Sequence, residues 1–193
     1  MTDGIILAGG YSSRAKTNKM VLIYEGLPII CNAIEAMRGV CDNIVVVTGH
    51  YHDEVLEVVK HYDYVKVVKN QFYDKGMFSS VIVGAKEVKN DFFLTPGDYP
   101  MIQKETFLKL LSVDGNIRVP IFNSRKGHPI FISKELIESL LNEQEDSNLK
   151  VFRDKYDVTY VEVEDEGVLI DVDTISDYLS LKNRNERNEK LED

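Results

Sequence analysis

The sequence is short of cysteine, of long apolar runs and of positive charge, and each shortage removes a class of protein. Only Cys31 and Cys41 are cysteines among 193 residues. Two thiols make no disulfide scaffold, and they share no metal-ligand spacing with each other or with a nearby pair of histidines. They read as structural thiols in a reducing cytosol. No run of about 18 apolar residues occurs, so no transmembrane helix is expected. Met1-Thr2-Asp3-Gly4 enters an apolar run with no basic segment or cleavage site. That points away from a signal peptide and towards the cytoplasm. Lys and Arg number 23 against 32 Asp and Glu, a formal charge of −9. Nucleic-acid surfaces rest on an excess of Lys and Arg, so none is expected here. An acidic chain can still bind a phosphorylated small molecule if it gathers its few cations at one site.

Several motifs are also missing. There is no G-K-[ST] of a P-loop, and Gly9 and Gly10 are adjacent with no third glycine, which fits a dinucleotide fingerprint poorly. No Ser-His or Cys-His constellation stands out, and no His and Cys cluster suggests zinc. His50, His52 and His61 show no partner pattern. The ten tyrosines read as half-buried strand and loop residues rather than a stacking platform. Internal repeats and long linkers are absent.

What is present is an alternation of short apolar strands and amphipathic helices. Gly4 to Ala8, Asn43 to Thr48, Tyr64 to Val68 and Asp91 to Thr95 read as strands. Further strands are expected near Val21 to Tyr24, Asn116 to Pro120, Pro129 to Ile132 and Val168 to Ile170. Helices are expected from Pro28 through Met37, His52 to His61, Met77 to Val88, Gln103 to Leu111 and Lys134 to Leu141. This pattern predicts an α/β fold, a single-domain three-layer Rossmann-like arrangement with a mostly parallel sheet. The domain is expected over residues 1–182, with 183–193 a polar C-terminal tail or helix end.

Ligands of parallel α/β sheets bind beyond the carboxyl ends of the strands. Two segments there carry chemistry. In Leu7-Ala8-Gly9-Gly10-Tyr11-Ser12-Ser13-Arg14 the adjacent glycines turn N–H groups towards an anion. Arg14 supplies a planar fork for phosphate oxygens and Lys19 a compact charge. The competing reading is a plain turn with surface cations. In Pro96-Gly97-Asp98-Tyr99-Pro100 the carboxylate is placed to hold Mg²⁺ against a triphosphate, or merely to favour a turn. Asp171 and Asp173 fall on one side if their segment is extended, and Asp173 or Thr174 could instead cap a helix. Gly76 permits a tight turn before Ser79 and Ser80, two hydroxyls near a helix start that can cap it. Lys126, Gly127 and His128 form a basic loop.

Taken in order, Leu-Ala-Gly-Gly-x-Ser-x-Arg with a following Lys, Gly-Asp-Tyr-Pro, Gly-His-Pro and Asp-Val-Asp-Thr resemble the molybdenum-cofactor nucleotidyltransferases, NTP transferases with a glycosyltransferase-A-like fold. The likeness runs from Ile5 to about Tyr178. It departs from the family at Ala15-Lys16, where relatives have Met-Gly, at Lys126, where they have Arg, and over Glu145 to Lys150. The resemblance implies that Leu7, Ala8, Gly9, Gly10, Ser12, Ser13 and Arg14 hold the phosphates of an NTP, with Lys19 by the α-phosphate. It implies a catalytic and metal role for Asp98, a second metal position at Asp171, and a cap or supporting role for Asp173. Gly76, Ser79, Ser80 and Gly84 would flank the nucleoside, and Lys126 and His128 the acceptor. The expected reaction moves CMP from CTP to molybdopterin or its molybdenum form, with Mg²⁺ as cofactor and pyrophosphate as product. A transient contact with a molybdoenzyme or its chaperone is also implied. The alternatives are a GTP-using guanylyltransferase, a sugar- or polyol-phosphate nucleotidyltransferase and, from another class, a non-catalytic nucleotide-binding regulator.

Overall fold

Ile5, Ile6 and Leu7 are consecutive and all apolar, so a strand made of them must be covered on both faces. The computed structural model, which describes residues 1–11, 15, 17–144 and 146–192, with side chains to residue 184, shows how this is met. The elements in chain order are β1 (Thr2–Ala8), β2 (Ile23–Tyr24), β3 (Leu27–Pro28), α1 (Ile29–Met37), β4 (Asn43–Thr48), α2 (His52–Val59) and β5 (Val65–Lys69). They continue with α3 (Met77–Ala85), β6 (Asp91–Pro96), α4 (Lys104–Leu111), β7 (Ile117–Phe122), β8 (Arg125–Lys126) and β9 (Ile130–Ile132). The chain closes with α5 (Ile137–Leu141), α6 (Leu149–Arg153), β10 (Val158–Glu162) and α7 (Ile175–Glu192).

The main sheet runs β10-β7-β9-β6-β1-β4-β5, with β8 paired to β7. β1 lies parallel to β4 and β6, β4 to β5, and β10 to β7. The exceptions are β9, antiparallel to β6 and β7, and β8, antiparallel to β7. Strand alternation then sorts the core into two layers. Ile6, Ile44, Val46, Phe93 and Phe131 pack under Ile30, Ile34 and Met37 of α1, Val55 and Val59 of α2, and Phe107 and Leu110 of α4. Ile5, Leu7, Val45, Val47, Phe92 and Leu94 pack on the opposite face with Phe78, Val81 and Ala85 of α3, Leu140 of α5 and Phe152 of α6. A smaller cluster of Tyr24, Ile29, Val172 and Leu181 fastens the β2–β3 hairpin and α7 to the segment carrying the C-terminal carboxylates. Both cysteines are free and buried. Burial pushes the Cys41 thiol up to about 12, with Asp3 and Asp42 adding to it. Among the described residues no helix is long and apolar enough to cross a membrane.

The expected elements differ from those formed at several points. Val168 to Ile170 is not a strand: Glu166–Leu169 is a 3₁₀ turn. The Asp165 carboxylate captures the Gly167 N–H at 2.8 Å and also accepts from Gln103 N and Thr106 Oγ1. That side-chain bond bends the chain before it can extend. β10 and α6 were not anticipated. β10 carries the β-branched Val158, Thr159 and Val161, and α6 begins at Asn148, whose Oδ1 accepts from Val151 N at 3.0 Å. Val21 belongs to a 3₁₀ turn, Lys19–Val21, so the expected first hairpin strand shrinks to Ile23–Tyr24.

Candidate functional site

The carboxyl ends of β1 and β6 open into a cavity of about 390 Å³. The loops at its base are in close contact. Gly97 N donates to Leu7 O at 2.9 Å, which ties the exit of β6 to that of β1. A Cβ at Gly49 would stand 2.3 Å from the Gly9 carbonyl oxygen, so the exits of β1 and β4 meet where only glycine fits. Of the residues expected at a nucleotide site, Leu7, Gly9, Gly10, Lys19, Gly76, Ser80 and Asp98 line this cavity. Ser12, Ser13 and Arg14 lie outside the described residues.

Lys19 is presented by a capped turn. Asn18, itself buried, accepts from Met20 N through Oδ1 at 3.2 Å and starts the 3₁₀ turn, while its Nδ2 donates to Glu54 on α2. The Lys19 ammonium donates to Asp98 Oδ2 at 2.6 Å and to Asp173 Oδ1 at 3.0 Å. Burial alone would lower its pKa, but Asp98 and then Asp173 more than offset this and hold it above the ordinary lysine value.

The C-terminal carboxylates reach Asp98 through backbone pairing. Val172 N donates to Asp98 O at 2.9 Å, which sets Asp171 and Asp173 on either side of the bond. Oxygens of Asp98, Asp171 and Asp173 all lie within 4.8 Å of one another. Burial, Asp173 and Asp98 push the Asp171 carboxyl above its usual range. Among the described residues three carboxylates face one ammonium, and Asp98 Oδ1 is buried with no hydrogen-bond partner. Hard oxygen donors with an orphaned, charged atom fit a divalent cation of the Mg²⁺ or Mn²⁺ type. Asp173 is not the helix cap: Thr174 Oγ1 accepts from Asp177 N at 3.1 Å, and Thr174 N donates to Asp177 Oδ2 at 2.7 Å, a capping pair.

Gly76 precedes α3 at φ +97°, a conformation that needs glycine. Ser79 and Ser80 do not cap the helix. Their hydroxyls accept from the buried Asn70 amide at 2.8 and 3.0 Å, and Ser79 donates to the carbonyls of Phe72 and Gly76. Asn70 thereby ties the exit of β5 to α3, and the sequence reading missed it. Ala8 is buried in β1. Gly84 faces the sheet instead of the cavity: a Cβ there would meet Ile5 Cγ2 at 2.6 Å and Val47 Cγ2 at 3.1 Å. Its role in the structure is close helix–sheet packing, where an added methyl costs about 1–3 kcal/mol.

The basic loop is split. Lys126 sits exposed on β8, where its ammonium donates to Tyr160 Oη at 2.7 Å and lies 4.4 Å from that ring's centroid. His128 points inward, with its ring 5.0 Å from Tyr99 and its Nδ1 buried without a partner. Burial lowers its pKa from 6.5 to about 4, against the Leu94 carbonyl and assisted by Arg153. His128 is therefore neutral at pH 7. A folded pKa below the unfolded one contributes stability above pH 6.5 that is lost as pH falls through about 4. Wild type should lose about 3 kcal/mol more than His128→Gln between these limits, by one pKa unit's worth of about 1.4 kcal/mol each. Melting curves of both proteins across this range check it, and parallel curves would show that His128 is not buried in its neutral form.

A doubly covered sheet whose first strand ends in a glycine pair, facing a lysine and clustered carboxylates across the strand ends, defines a nucleotidyltransferase. The sequence profile of the MobA-like NTP transferase domain matches residues 4–160, and the chain belongs to that family. It is 31% identical over 185 residues to the molybdenum cofactor cytidylyltransferase of Escherichia coli strain K12, covering 94% of this chain and 96% of the relative. It is 30% identical over 173 residues to a probable molybdenum cofactor guanylyltransferase of Bacillus cereus strain B4264, covering 84% of each. The fold matches a nucleotidyl transferase from Methanothermobacter with a TM-score of 0.81 at 24% identity, covering 97% of this chain and 99% of the other. It also matches a Mycobacterium tuberculosis protein solved in complex with manganese, with a TM-score of 0.76 at 24% identity over 94% and 98% of the chains.

Proposed function

We propose that this enzyme transfers CMP from CTP to the phosphate of molybdopterin or its molybdenum form and releases pyrophosphate. The observation that carries the reading is Lys19 clasped by Asp98 and Asp173 in the cavity that begins at Gly9 and Gly10. The cytidylyltransferase relative, aligned over nearly the whole of both chains, supplies the donor and acceptor. The loop N–H groups and Arg14 hold the β- and γ-phosphates, and Lys19 stands by the α-phosphate. An acceptor phosphate oxygen forms a bond to the α-phosphorus as the bond to the β-phosphate oxygen breaks. Positioning and charge neutralisation dominate such a transfer, so no protein nucleophile is needed. A divalent cation held by Asp98 and Asp171, Mg²⁺ in this proposal, would neutralise phosphate charge. Lys126 would meet the acceptor, and His128, whose ring points inward to Tyr99, would support that side as a neutral ring. The nucleotide cofactor then passes to a molybdoenzyme or its chaperone.

For the base, the small residues and hydroxyls from Gly76 to Ser80 resemble the cytidylyl branch, and a poorly matched polar edge costs about 1–3 kcal/mol. CTP is expected to be used at least about tenfold better than GTP. A specific observation favours GTP instead: a Cβ at Gly10 would meet nothing within 4 Å, which leaves room for a larger base. Equimolar CTP and GTP supplied with molybdopterin and Mg²⁺, with the dinucleotide product identified by mass, decide between them. A guanine product in excess overturns the base assignment, and no product from either base overturns the acceptor.

A further inference from the structure

Three aromatic residues at the cavity mouth are unused by the phosphate and carboxylate chemistry. Tyr11 follows the glycine pair, His50 follows β4, and Tyr73 lies between β5 and α3. The Tyr11 ring centroid is 5.2 Å from that of His50 and 5.2 Å from that of Tyr73, at interplanar angles of 39° and 60°. His50 and Tyr73 are 6.1 Å apart, and Tyr73 Oη is 3.5 Å from His50 Nδ1. Tyr51 closes on His50 edge to face at 4.6 Å. Tyr11 and Tyr73 line the cavity that holds Lys19 and Asp98. Tyr11 is nevertheless 48% exposed. Its two ring contacts are tilted, not face to face, so a ring face remains for a ligand.

We propose that Tyr11 and Tyr73, braced by His50, form an aromatic wall on which the base of the NTP stacks. This rests on the nucleotidyl-transfer reading above and adds residues to it. Stacking on a side chain accepts any planar base, and it acts on binding more than on the chemical step. The sheet order selects the donor's base over the ring system of the acceptor. β4 and β5, whose exits carry His50 and Tyr73, lie on one side of β1, whereas β6 and then β9, which His128 precedes, lie on the other. The glycine pair at the end of β1 stands between. A triphosphate held there has its base on the Tyr11 side and its α-phosphate towards Lys19. Gly49 lets the wall approach the end of β1: a Cβ there would stand 2.7 Å from Tyr73 Cβ as well as against the Gly9 carbonyl, so only glycine fits between them.

The chain contains no tryptophan, so Tyr11→Trp introduces a single reporter. Its emission should be quenched saturably by CTP or GTP with Mg²⁺, and not by inorganic triphosphate or by molybdopterin alone. In parallel, Tyr11→Ala should raise the KM for the NTP about tenfold and that for the acceptor less than twofold, with Tyr11→Phe restoring the NTP value. Equal quenching by triphosphate, quenching by the acceptor alone, an unchanged KM in Tyr11→Ala, or no quenching by an NTP that raises the melting temperature each overturns the wall. Absence of any NTP-dependent rise in melting temperature overturns instead the nucleotidyl-transfer reading beneath it.

Discussion

Lys19→Ala is expected to lower kcat by at least about 100-fold while leaving NTP binding largely intact, as removal of one preorganised charge at a reacting centre does in other enzymes. The structure gives the residue two tasks. Towards the ligand it is a buried cation lining the cavity; towards the protein it is the counter-ion of Asp98 and Asp173. Its removal leaves clustered carboxylates without their ammonium. Breaking a buried pair costs about 3–5 kcal/mol. The Asp173 side chain is 38% exposed, so water screens its share, and about 2–3 kcal/mol is expected at neutral pH. Because the folded pKa of Lys19 lies above its ordinary value of 10.5, that contribution is full below pH 10.5 and disappears as pH climbs through the raised value. A divalent cation should raise the melting temperature of the variant more than that of the wild type. Single-turnover kinetics with saturating NTP measure the chemical step apart from binding. A near-normal kcat would remove Lys19 from the reaction, whatever the melting curves show.

The parts of the site legible in the sequence are those whose signal is local. An apolar run ended by Gly9-Gly10 and another ended by Pro96-Gly97-Asp98 announce two strand exits, and parallel topology brings such exits to one edge. The pairing of Lys19 is not local: its partners are 79 and 154 positions away. The placement of Asp171 and Asp173 on one side assumed an extended strand before them, and the Asp165 turn removes that assumption. Ser79 and Ser80 looked like caps, because the amide that takes up their hydroxyls, Asn70, sits on a different element. Tyr11, His50 and Tyr73 each look unremarkable, since they stand alone on three loops; only the adjacency of β1, β4 and β5 makes them neighbours. The same limit explains the sheet. Alternating β and α segments predict a mostly parallel arrangement, and that is what forms. β9 is only three residues long, too short to show a period, and its reversed insertion between β6 and β7 follows the turn by which β8 doubles back on β7. β10 was legible and overlooked, since Val158, Thr159, Tyr160 and Val161 are all strand-favouring residues.

Asp98→Asn is the second large effect. Metal-dependent turnover is expected to fall by at least about 100-fold, with the fold retained. The amide oxygen can take the place of Oδ2 and still accept from Lys19, and the backbone carbonyl of residue 98 still receives the Val172 N–H. The turn and the convergence of the C-terminal segment are therefore preserved. What disappears is charge. The amide nitrogen now occupies the position of Oδ1, the buried oxygen without a partner, and it presents hydrogens where a hard cation needs a lone pair. Asp171 and Asp173 remain, but without the third carboxylate of the cluster. The carboxyl of Asp171, raised by burial and by its two acidic neighbours, should move back towards its ordinary range when one of those neighbours is neutral. Folding is checked by circular dichroism melts, where a difference within about 1 kcal/mol is expected because one repulsion and one attraction are removed together. The metal role is checked by titrating Mg²⁺ and Mn²⁺ against turnover. A variant whose activity follows either cation as the wild type's does would show that Asp98 is only a turn residue and a partner for Lys19.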